Sequence, residues 1–317
     1  MLGQFVVKRY PRDSFLLATK MPYTVRRAED YTSIFQRSLT ECGVEFFDYY
    51  LLHCLSASNY ELHRRLGGFE FVNRLKREDR AKHIGFSFHD KPELLDRILT
   101  EHPEMEFVQL QINYLDWDDP IIQSKQLYEV ARRHEKPIFV MEPIKGGSLA
   151  NLEKFDSDVQ ADMKTYAELA LKFVASLDVQ VVLSGMSALE HVLNNRRTFA
   201  SKVELTEDDR KNYDKLRALA KEKIQIPCTN CKYCQSECPK HVAIPEILGV
   251  LNFCEYDGTP HRNFLNGGNR FKLYYDNHIL NKGKASDCIQ CGACEAQCPQ
   301  KIPIRKHILA AKSMFEG

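Results

Sequence analysis

The amino-acid sequence predicts an α/β protein: a parallel (β/α)8 TIM-type barrel over residues 1–205, followed by a small, mostly α-helical domain rich in cysteine. Two patterns lead to this prediction. Short apolar runs alternate with longer amphipathic stretches along residues 1–205, and eight of the 11 cysteines repeat one spacing near the C-terminus. A βαβα order with apolar strands is typical of a parallel sheet whose faces are covered by helices.

Composition limits the class of protein. The 317 residues contain 44 Lys and Arg against 43 Asp and Glu, a net charge of +1, and this balance argues against a nucleic-acid partner. No apolar run approaches the roughly 18 residues that span a bilayer, so no membrane association is expected. The opening segment MLGQFVVKRYPRD lacks the pattern of a signal peptide. We therefore expect a cytoplasmic protein whose cysteines bind metal rather than form disulfides.

The apolar runs predict six buried parallel strands. They are Phe15–Lys20, Phe46–His53, Lys82–Phe88, Phe107–Asn113, Lys136–Glu142 and Val179–Met186. A barrel of this type has eight strands and about 250 residues, so we expect one that is incomplete at its N-terminus, with roughly 60 residues missing. Such a barrel would leave an open edge beside its first and last strands.

The predicted domains are the partial barrel (1–205), a connecting helix (206–226) and the cysteine-rich domain (227–317). Thr206 and Asp209 have the spacing of a helix cap at the start of the connector. Within the last domain, the runs IPEILGVLNF and FKLYYDNHIL carry apolar residues three and four apart, which predicts two helices.

The cysteine pattern is the most specific signal in the chain. Each copy reads C-x2-C-x2-C-x3-C-P, the spacing of ligands to cuboidal 4Fe–4S clusters, in which the fourth cysteine ligates the other cluster. We therefore predict two clusters, one on Cys228, Cys231, Cys234 and Cys298, the other on Cys288, Cys291, Cys294 and Cys238. Structural zinc is the alternative, although zinc usually takes two paired hooks of Cys or His. With helices between its two motifs, the segment resembles the α-helical type of two-cluster ferredoxin domain.

In a parallel barrel, functional side chains lie at the carboxyl ends of the strands and on the loops that follow. Those positions hold Lys20 in ATKMP, His53 in DYYLLHCL, Ser87 in IGFSFH, Gln109 with Asn113, then the segments EPIKGG and SGMSALEHVLNN. Taken in order, these motifs resemble the aldo-keto reductase family from Lys20 to Asn195. The resemblance implies that Lys20 and His53 are catalytic.

The resemblance also implies a nicotinamide cofactor, NADP rather than NAD. Ser87 and Gln109 would hold the nicotinamide amide, and the EPIKGG loop would lie along the pyrophosphate. The full set of implied cofactor contacts is Ser87, Gln109, Asn113, Pro143, Ile144, Gly146, Gly147, Ser187, His191, Asn194 and Asn195. The chain departs from the family at Phe88, where the family usually has Asn, and at His191, where it often has Arg.

The implied reaction is reduction of a small carbonyl substrate, in which hydride goes to carbon and a proton to oxygen. The family supplies that proton from a Tyr whose pKa is lowered by the Lys, which pairs with an Asp. Both positions precede the Lys strand in the family, so we expect this chain to be inactive as it stands. Neither Tyr23, near Lys20, nor Tyr50, an odd number of residues before His53, is expected to replace the tyrosine.

Three hypotheses of function follow. The first is an NAD(P)H-dependent oxidoreductase that carries two 4Fe–4S clusters. The second is an iron–sulfur electron-transfer protein with a vestigial nucleotide-binding barrel, and the third is a non-catalytic remnant. Hydride transfer moves two electrons whereas each cluster moves one, so the clusters either stabilise their domain or pass electrons to a redox partner protein.

Overall fold

The computed structural model describes residues 2–22, 25–57, 59–150, 165–200, 203–222, 226–228, 230, 232–257, 263–264 and 268–317. They form two compact units. The first unit comprises Met1–Gln111, Ser124–Met141 and Val179–Leu183, and the second comprises Ile112–Gln123, Glu142–Asp178 and Ser184–Gly317. In the described ranges, no helix has the length and apolar character needed to cross a membrane.

The first unit is built on one six-stranded parallel sheet in the order β1-β2-β3-β4-β5-β6. Its strands are β1 (Ala18–Met21), β2 (Phe47–Leu55), β3 (Ala81–Phe88), β4 (Phe107–Gln111), β5 (Ile138–Met141) and β6 (Val181–Val182). The six predicted strands are confirmed, although the first, fourth, fifth and sixth are shorter than expected. In the described part of the chain, β1 pairs with β2 alone and β6 with β5 alone, so these two strands form the edges of the sheet.

Helices cover one face of this sheet. They are α1 (Ala28–Cys42), α2 (Tyr60–Arg65), α3 (Gly68–Arg77), α4 (Pro92–Glu101) and α5 (Ser124–Arg133). Helix α1 illustrates why they form: Tyr31, Phe35 and Leu39 recur every four residues on its buried side, and the helix ends at Gly43 with φ of 70°. Tyr50 of β2 is fully buried against Phe35, which confirms that it faces the helices.

The opposite face of the sheet carries an apolar layer of Leu51, Phe107 and Phe139. Gly85 lies beside Leu51 and Phe107 in the strand register, and a Cβ there would come within 2.4 Å of the Phe107 carbonyl oxygen. Only glycine fits this close approach. Ser87, two residues further along β3, shares the face of Gly85, and this layer therefore lies beneath the strand ends.

The second unit is mainly helical. It contains α6 (Tyr166–Ala175), α7 (Leu189–Thr198), α8 (Glu207–Glu222), α9 (Tyr233–Ser236), α10 (Ile244–Asp257), α11 (Arg270–His278), α12 (Ala293–Ala296) and α13 (Ile304–Phe315), with a short pair of strands, β7 (Asn263–Phe264) and β8 (Gly268–Asn269). The two helices predicted between the cysteine motifs are confirmed as α10 and α11. The predicted cap of α8 is also present, because Thr206 Oγ1 accepts from the Asp209 N–H and Asp209 Oδ2 accepts from the Thr206 N–H.

The backbone of the cysteine-rich region repeats at an interval of 60 residues. Three pairs of residues at this interval have positive φ: Asn230 and Gln290 (54° and 58°), Lys232 and Gly292 (66° and 80°), His241 and Lys301 (50° and 51°). The short helices α9 and α12 occupy equivalent places in the two copies. The sequence duplication is therefore a structural duplication.

Candidate active site and iron–sulfur centres

The predicted catalytic residues come from adjacent strands of the first unit. Lys20 lies on β1 and His53 near the end of β2, where the register with β3 shifts between Leu52 and Leu55. In this bulge Cys54 has φ of 60°, a left-handed conformation that costs a non-glycine residue on the order of 1–2 kcal/mol. The Cys54 N–H donates to Ser87 Oγ at 2.8 Å, so β3 holds the bulge in place.

Electrostatic interactions join the polar groups at this end of the sheet. Burial lowers the pKa of His53 to about 4 and that of His89 to about 3, and the charge of Lys20 acts in the same direction on both. Burial also lowers the pKa of Lys20, which Cys54 opposes. Both imidazoles are therefore neutral at pH 7. Burial raises the pKa of the Cys54 thiol to about 12, so this cysteine is not a thiolate nucleophile.

Lys20 has no carboxylate within 4.0 Å among the residues that the structure describes. Tyr23, the nearest tyrosine in sequence, lies outside those residues. Tyr50 packs against α1 on the other face of the sheet, as expected. The described strand ends thus contain the lysine and the histidine, without a tyrosine–aspartate pair.

Ser87 and Gln109 are paired in the register of β3 and β4 and are both buried. Gln109 Nε2 donates to Met141 Sδ at 3.2 Å. A thioether sulfur is a weak acceptor, so this amide is held only loosely. The first unit therefore brings together Lys20, His53, Ser87 and Gln109 at one edge of one sheet.

The remaining predicted contacts lie in the second unit. Asn113 is fully buried, and its Nδ2 donates to Asp116 Oδ2 at 2.6 Å and to the Glu142 carbonyl at 3.2 Å. Its Oδ1 accepts from the N–H groups of Leu115 and Asp116. These four bonds use the full capacity of the amide, so Asn113 joins the loop after β4 to the loop after β5.

A buried ion pair underlies the same loop. Lys145 and Asp116 have side chains only 1% and 0% exposed, and Lys145 Nζ lies 2.5 Å from Asp116 Oδ1. Lys145 Nζ also lies 4.6 Å from the centre of the Phe253 ring on α10. This pair was not predicted from the sequence: Lys145 stands in the middle of the EPIKGG motif, but nothing in the motif indicates that its side chain is buried.

The EPIKGG loop is a tight turn. Gly146 and Gly147 have φ of 64° and 98°, and the Gly147 N–H donates to the Ile144 carbonyl at 2.9 Å. Pro143 is buried and Gly146 is exposed. The predicted pyrophosphate contacts thus lie on a loop whose base is anchored by Lys145 and whose glycines are accessible.

The segment predicted to contact the ribose phosphate begins α7. The Ser187 N–H donates to His191 Nδ1 at 3.3 Å, and Asn195 Nδ2 donates to Ser184 Oγ at 3.0 Å. Arg197 donates to Asn194 Oδ1. Ser187 and His191 are exposed. Ser187 thus lies just before α7, and His191, Asn194 and Asn195 lie along the helix with side chains that are at least partly exposed.

The cysteines line two separate cavities of the second unit. Cavity A contains Cys288, Cys291 and Cys294 from the second motif together with Cys238 from the first. Cavity B contains Cys228 and Cys234 from the first motif together with Cys298 from the second. Cys231 lies outside the described residues. Each cavity thus contains cysteines from both motifs, as the predicted exchange of the fourth cysteine requires.

Nearby donors point at the sulfur atoms of cavity A. The Val242 N–H reaches Cys238 Sγ at 3.4 Å, and Gln290 Nε2 reaches Cys288 Sγ at 3.2 Å. Burial raises the pKa of the Cys294 thiol to about 11, and the neighbouring Glu295, Cys288 and Cys238 also favour its protonated form. Bound iron would remove these protons, as metals do from coordinating thiols.

A parallel sheet with a polar strand end, together with a duplicated cysteine domain, defines a redox protein of the βα-barrel class. The aldo/keto reductase family model matches residues 1–165, and a 4Fe-4S dicluster domain model matches residues 227–302. The first match spans more than half of the chain. The chain belongs to the aldo/keto reductase family and is an oxidoreductase with an iron–sulfur-binding domain. No curated protein matches it.

Solved aldo-keto reductases share the fold. The apo form of AKR11C1 from Bacillus halodurans is 21% identical, with a TM-score of 0.53 over 68% of this chain and 75% of that one. An aldo/keto reductase from Klebsiella pneumoniae, in complex with NADP and acetate, is 20% identical, with a TM-score of 0.55 over 68% and 74%. One from Brucella melitensis is 20% identical, with a TM-score of 0.53 over 68% and 78%. The predicted fold class, a TIM-type barrel with six strands present and a helical ferredoxin-type domain, is confirmed.

Proposed function

We propose that this protein is an NADP-dependent reductase of small carbonyl compounds that carries two 4Fe–4S clusters. The observation that carries the proposal is the juxtaposition of Lys20 and a neutral His53 at the ends of adjacent strands, in a chain of the aldo/keto reductase family. The NADP bound to the Klebsiella relative supports the choice of nucleotide.

Each residue has a proposed task. When bound, NADPH would supply hydride to the carbonyl carbon, and the proton that completes the alcohol would come from solvent water. A neutral His53 donates a hydrogen bond to the carbonyl oxygen, and the Lys20 ammonium stabilises negative charge as it develops there. Ser87 and Gln109 orient the nicotinamide amide.

The pyrophosphate and the adenosine end of the nucleotide are assigned to residues of the second unit. Pro143, Ile144, Gly146 and Gly147 would lie along the pyrophosphate, and Asn113 would hold that loop in position through its bond to the Glu142 carbonyl. The adenosine end would be bound by Ser187, His191, Asn194 and Asn195.

The two clusters are assigned to the two cavities. Cavity A would bind one through Cys238, Cys288, Cys291 and Cys294, and cavity B the other through Cys228, Cys231, Cys234 and Cys298. The grouping of cysteines from both motifs in each cavity supports this assignment. When bound, each cluster supplies one-electron chemistry and ties the two motifs together.

The sequence predicts that this chain is inactive as it stands; we propose instead that Lys20 and His53 support slow carbonyl reduction without a tyrosine acid. A general acid contributes about 10²- to 10⁴-fold to such a proton transfer. Among the described residues, neither a tyrosine nor a carboxylate shifts the pKa of Lys20. Cys54 is the one ionisable side chain among them that does so.

The test combines nucleotide binding with turnover. Trp117 is the single tryptophan of the chain, and its fluorescence is recorded as NADPH is added under anaerobic conditions. We expect saturable binding, weakened about tenfold by Gln109→Ala, which removes one hydrogen-bonded contact. Slow NADPH oxidation with a small aldehyde should be lost in Lys20→Met and His53→Gln.

Lys82→Met is the matched control, because Lys82 is an exposed lysine near the start of β3 that pairs with Asp79. It should bind NADPH and oxidise it as the unaltered chain does. Turnover that survives both Lys20→Met and His53→Gln would exclude the proposed active site.

The electron-transfer alternative has one observation in its favour. Cys291, a proposed cluster ligand, is exposed, so a cluster in cavity A would lie near the surface. Under this alternative, cluster reduction proceeds normally and is indifferent to Lys20→Met and His53→Gln.

A further inference from the structure

The two cysteine segments, residues 226–242 and 284–306, carry an excess of positive charge. Their basic residues outnumber their acidic ones by six to three, in a chain whose net charge is only +1. The basic residues, all exposed, are Lys232, Lys240, Lys284, Lys301, Arg305 and Lys306. The excess is therefore a local property of the cysteine-rich surface.

Two of the three acidic residues form hydrogen bonds with basic residues of the same segment. Glu295 bonds the side chain and the backbone of Arg305, and Asp287 accepts from the Lys284 N–H in its own turn. The third, Glu237, is exposed. No ion pair of Lys240 or Lys301 occurs among the residues that the structure describes. These lysines thus keep their charge available to a partner.

The lining of cavity A includes both basic residues and an exposed apolar residue. It is lined by Lys240 and Arg305, by the exposed Cys291 and by Ile289, a residue that is 57% exposed. Exposed apolar atoms at a redox centre, with charged residues around them, are the features of a transient electron-transfer interface: the charges steer the encounter and the apolar contact is small.

The surroundings of cavity A would also favour the reduction of a cluster bound there. The donors to Cys238 Sγ and Cys288 Sγ and the nearby Lys240 would stabilise the more negative, reduced state of a bound cluster, whereas the charge of Arg305 is offset by Glu295. An electron from outside would therefore be accepted here.

We propose that the surface around cavity A, formed by Lys240, Ile289, Cys291 and Arg305, docks an acidic one-electron carrier protein. This proposal rests on the proposed cluster content. In the transfer, the carrier loses one electron and the cluster in cavity A gains it; no bond forms or breaks and no proton moves.

The experiment uses the full chain loaded with iron and sulfide. A reduced, acidic plant-type ferredoxin is mixed with it in a stopped-flow instrument, and loss of the clusters' visible absorbance is followed at rising salt. We expect the second-order rate constant to fall about tenfold or more from low to high salt, because salt screens the attraction. Lys240→Glu should lower the low-salt rate by a similar factor, and Ile289→Ser should lower it at every salt concentration.

Two controls make the test specific. Lys211→Glu changes an exposed lysine of α8 that pairs with Asp208 and does not line cavity A, and it should leave the rate unchanged. When the reduced chain instead donates to cytochrome c, a basic carrier, the rate should rise with salt.

Iron and sulfide analysis of every variant separates the possible failures. A fully loaded chain whose reduction by ferredoxin is indifferent to salt and to Lys240→Glu overturns the docking surface and leaves the cluster assignment intact. Faster transfer to cytochrome c at low salt than at high salt also overturns it. A chain that binds no iron overturns the proposed cluster content and this inference with it.

Discussion

The strand ends of the first unit and the cysteine cavities of the second unit differ in how their functional groups are assembled. Each cavity draws its cysteines from two short segments whose backbone repeats every 60 residues, down to matching positive φ angles. The strand-end site instead collects single residues from four strands, and its geometry depends on a bulge at Cys54.

This difference makes the two sites depend on the chain in different ways. The cysteines of a cavity come from short motifs, so a tight turn in each motif is enough to bring them together. A strand-end site needs a different strand for each residue, and the described strands supply Lys20 and His53 but no carboxylate within 4.0 Å of Lys20. The second kind of site is therefore the more sensitive to the presence of every strand.

Replacement of one cavity cysteine should give the largest effect, a change in the amount of bound iron. Cys294 is buried in cavity A, and Cys294→Ser should lower the iron content from about eight to about four atoms per chain, because one 4Fe–4S cluster is lost. Iron and sulfide are measured on anaerobically loaded protein.

Cys254→Ser is its control, because Cys254 packs in the same apolar core but lines neither cavity. It should retain all of the iron. Equal iron in Cys294→Ser and the unaltered chain would contradict the assignment.

The next largest effect concerns stability, to which the buried Lys145–Asp116 pair of the second unit should contribute. Lys145→Met leaves Asp116 as an uncompensated buried charge and should lower the free energy of unfolding by about 3 to 5 kcal/mol. Urea denaturation followed by circular dichroism measures the change.

The matched pair is Lys272 with Asp276 on α11, where both side chains are almost half exposed. Lys272→Met should cost less than about 1 kcal/mol. Similar losses for the two lysines would contradict the structural role given to Lys145. The double variant Lys145→Met with Asp116→Leu should recover part of the loss.

Acid should destabilise the first unit through its buried histidines. The pKa values of His53 and His63 are lowered by burial to about 4 and that of His89 to about 3, against 6.5 in the unfolded chain. The unfolded chain therefore binds protons first, and the free energy of unfolding should fall as pH drops from about 6.5 to about 4, by roughly 3 kcal/mol per histidine.

Unfolding by urea at a series of pH values measures this slope. His53→Gln should make the slope shallower, because it removes one of the groups that titrate. A stability that is constant between pH 7 and pH 4 would contradict the burial of these imidazoles.

Loss of the N-terminal cap of α8 should have the smallest effect on stability. Thr206→Ala removes the oxygen that accepts from the Asp209 N–H and should cost about 1 kcal/mol, whereas Thr206→Ser should restore most of it. Thr40→Ala, in the body of α1, should cost nothing because its hydroxyl only bonds back to the Gln36 carbonyl. Equal thermal shifts in Thr206→Ala and Thr40→Ala would contradict the capping role.

The local patterns were the predictable part. The six strands, α10 and α11, the Thr206 cap and the outward-facing Tyr50 all followed from periodicity and short-range signals. The bulge at Cys54, the proximity of His89 to His53 and the buried Lys145–Asp116 pair did not, because each depends on contacts between residues far apart in the chain. A lysine inside a glycine-containing loop gives no sign in sequence that it is 1% exposed.

Native mass spectrometry of the anaerobically loaded chain with NADPH tests the central claim most directly. We predict one species that carries two Fe4S4 units and one nucleotide, and we expect the nucleotide occupancy to fall in Gln109→Ala while both clusters remain. A chain that binds zinc in place of the clusters, or two clusters with no nucleotide, would contradict it.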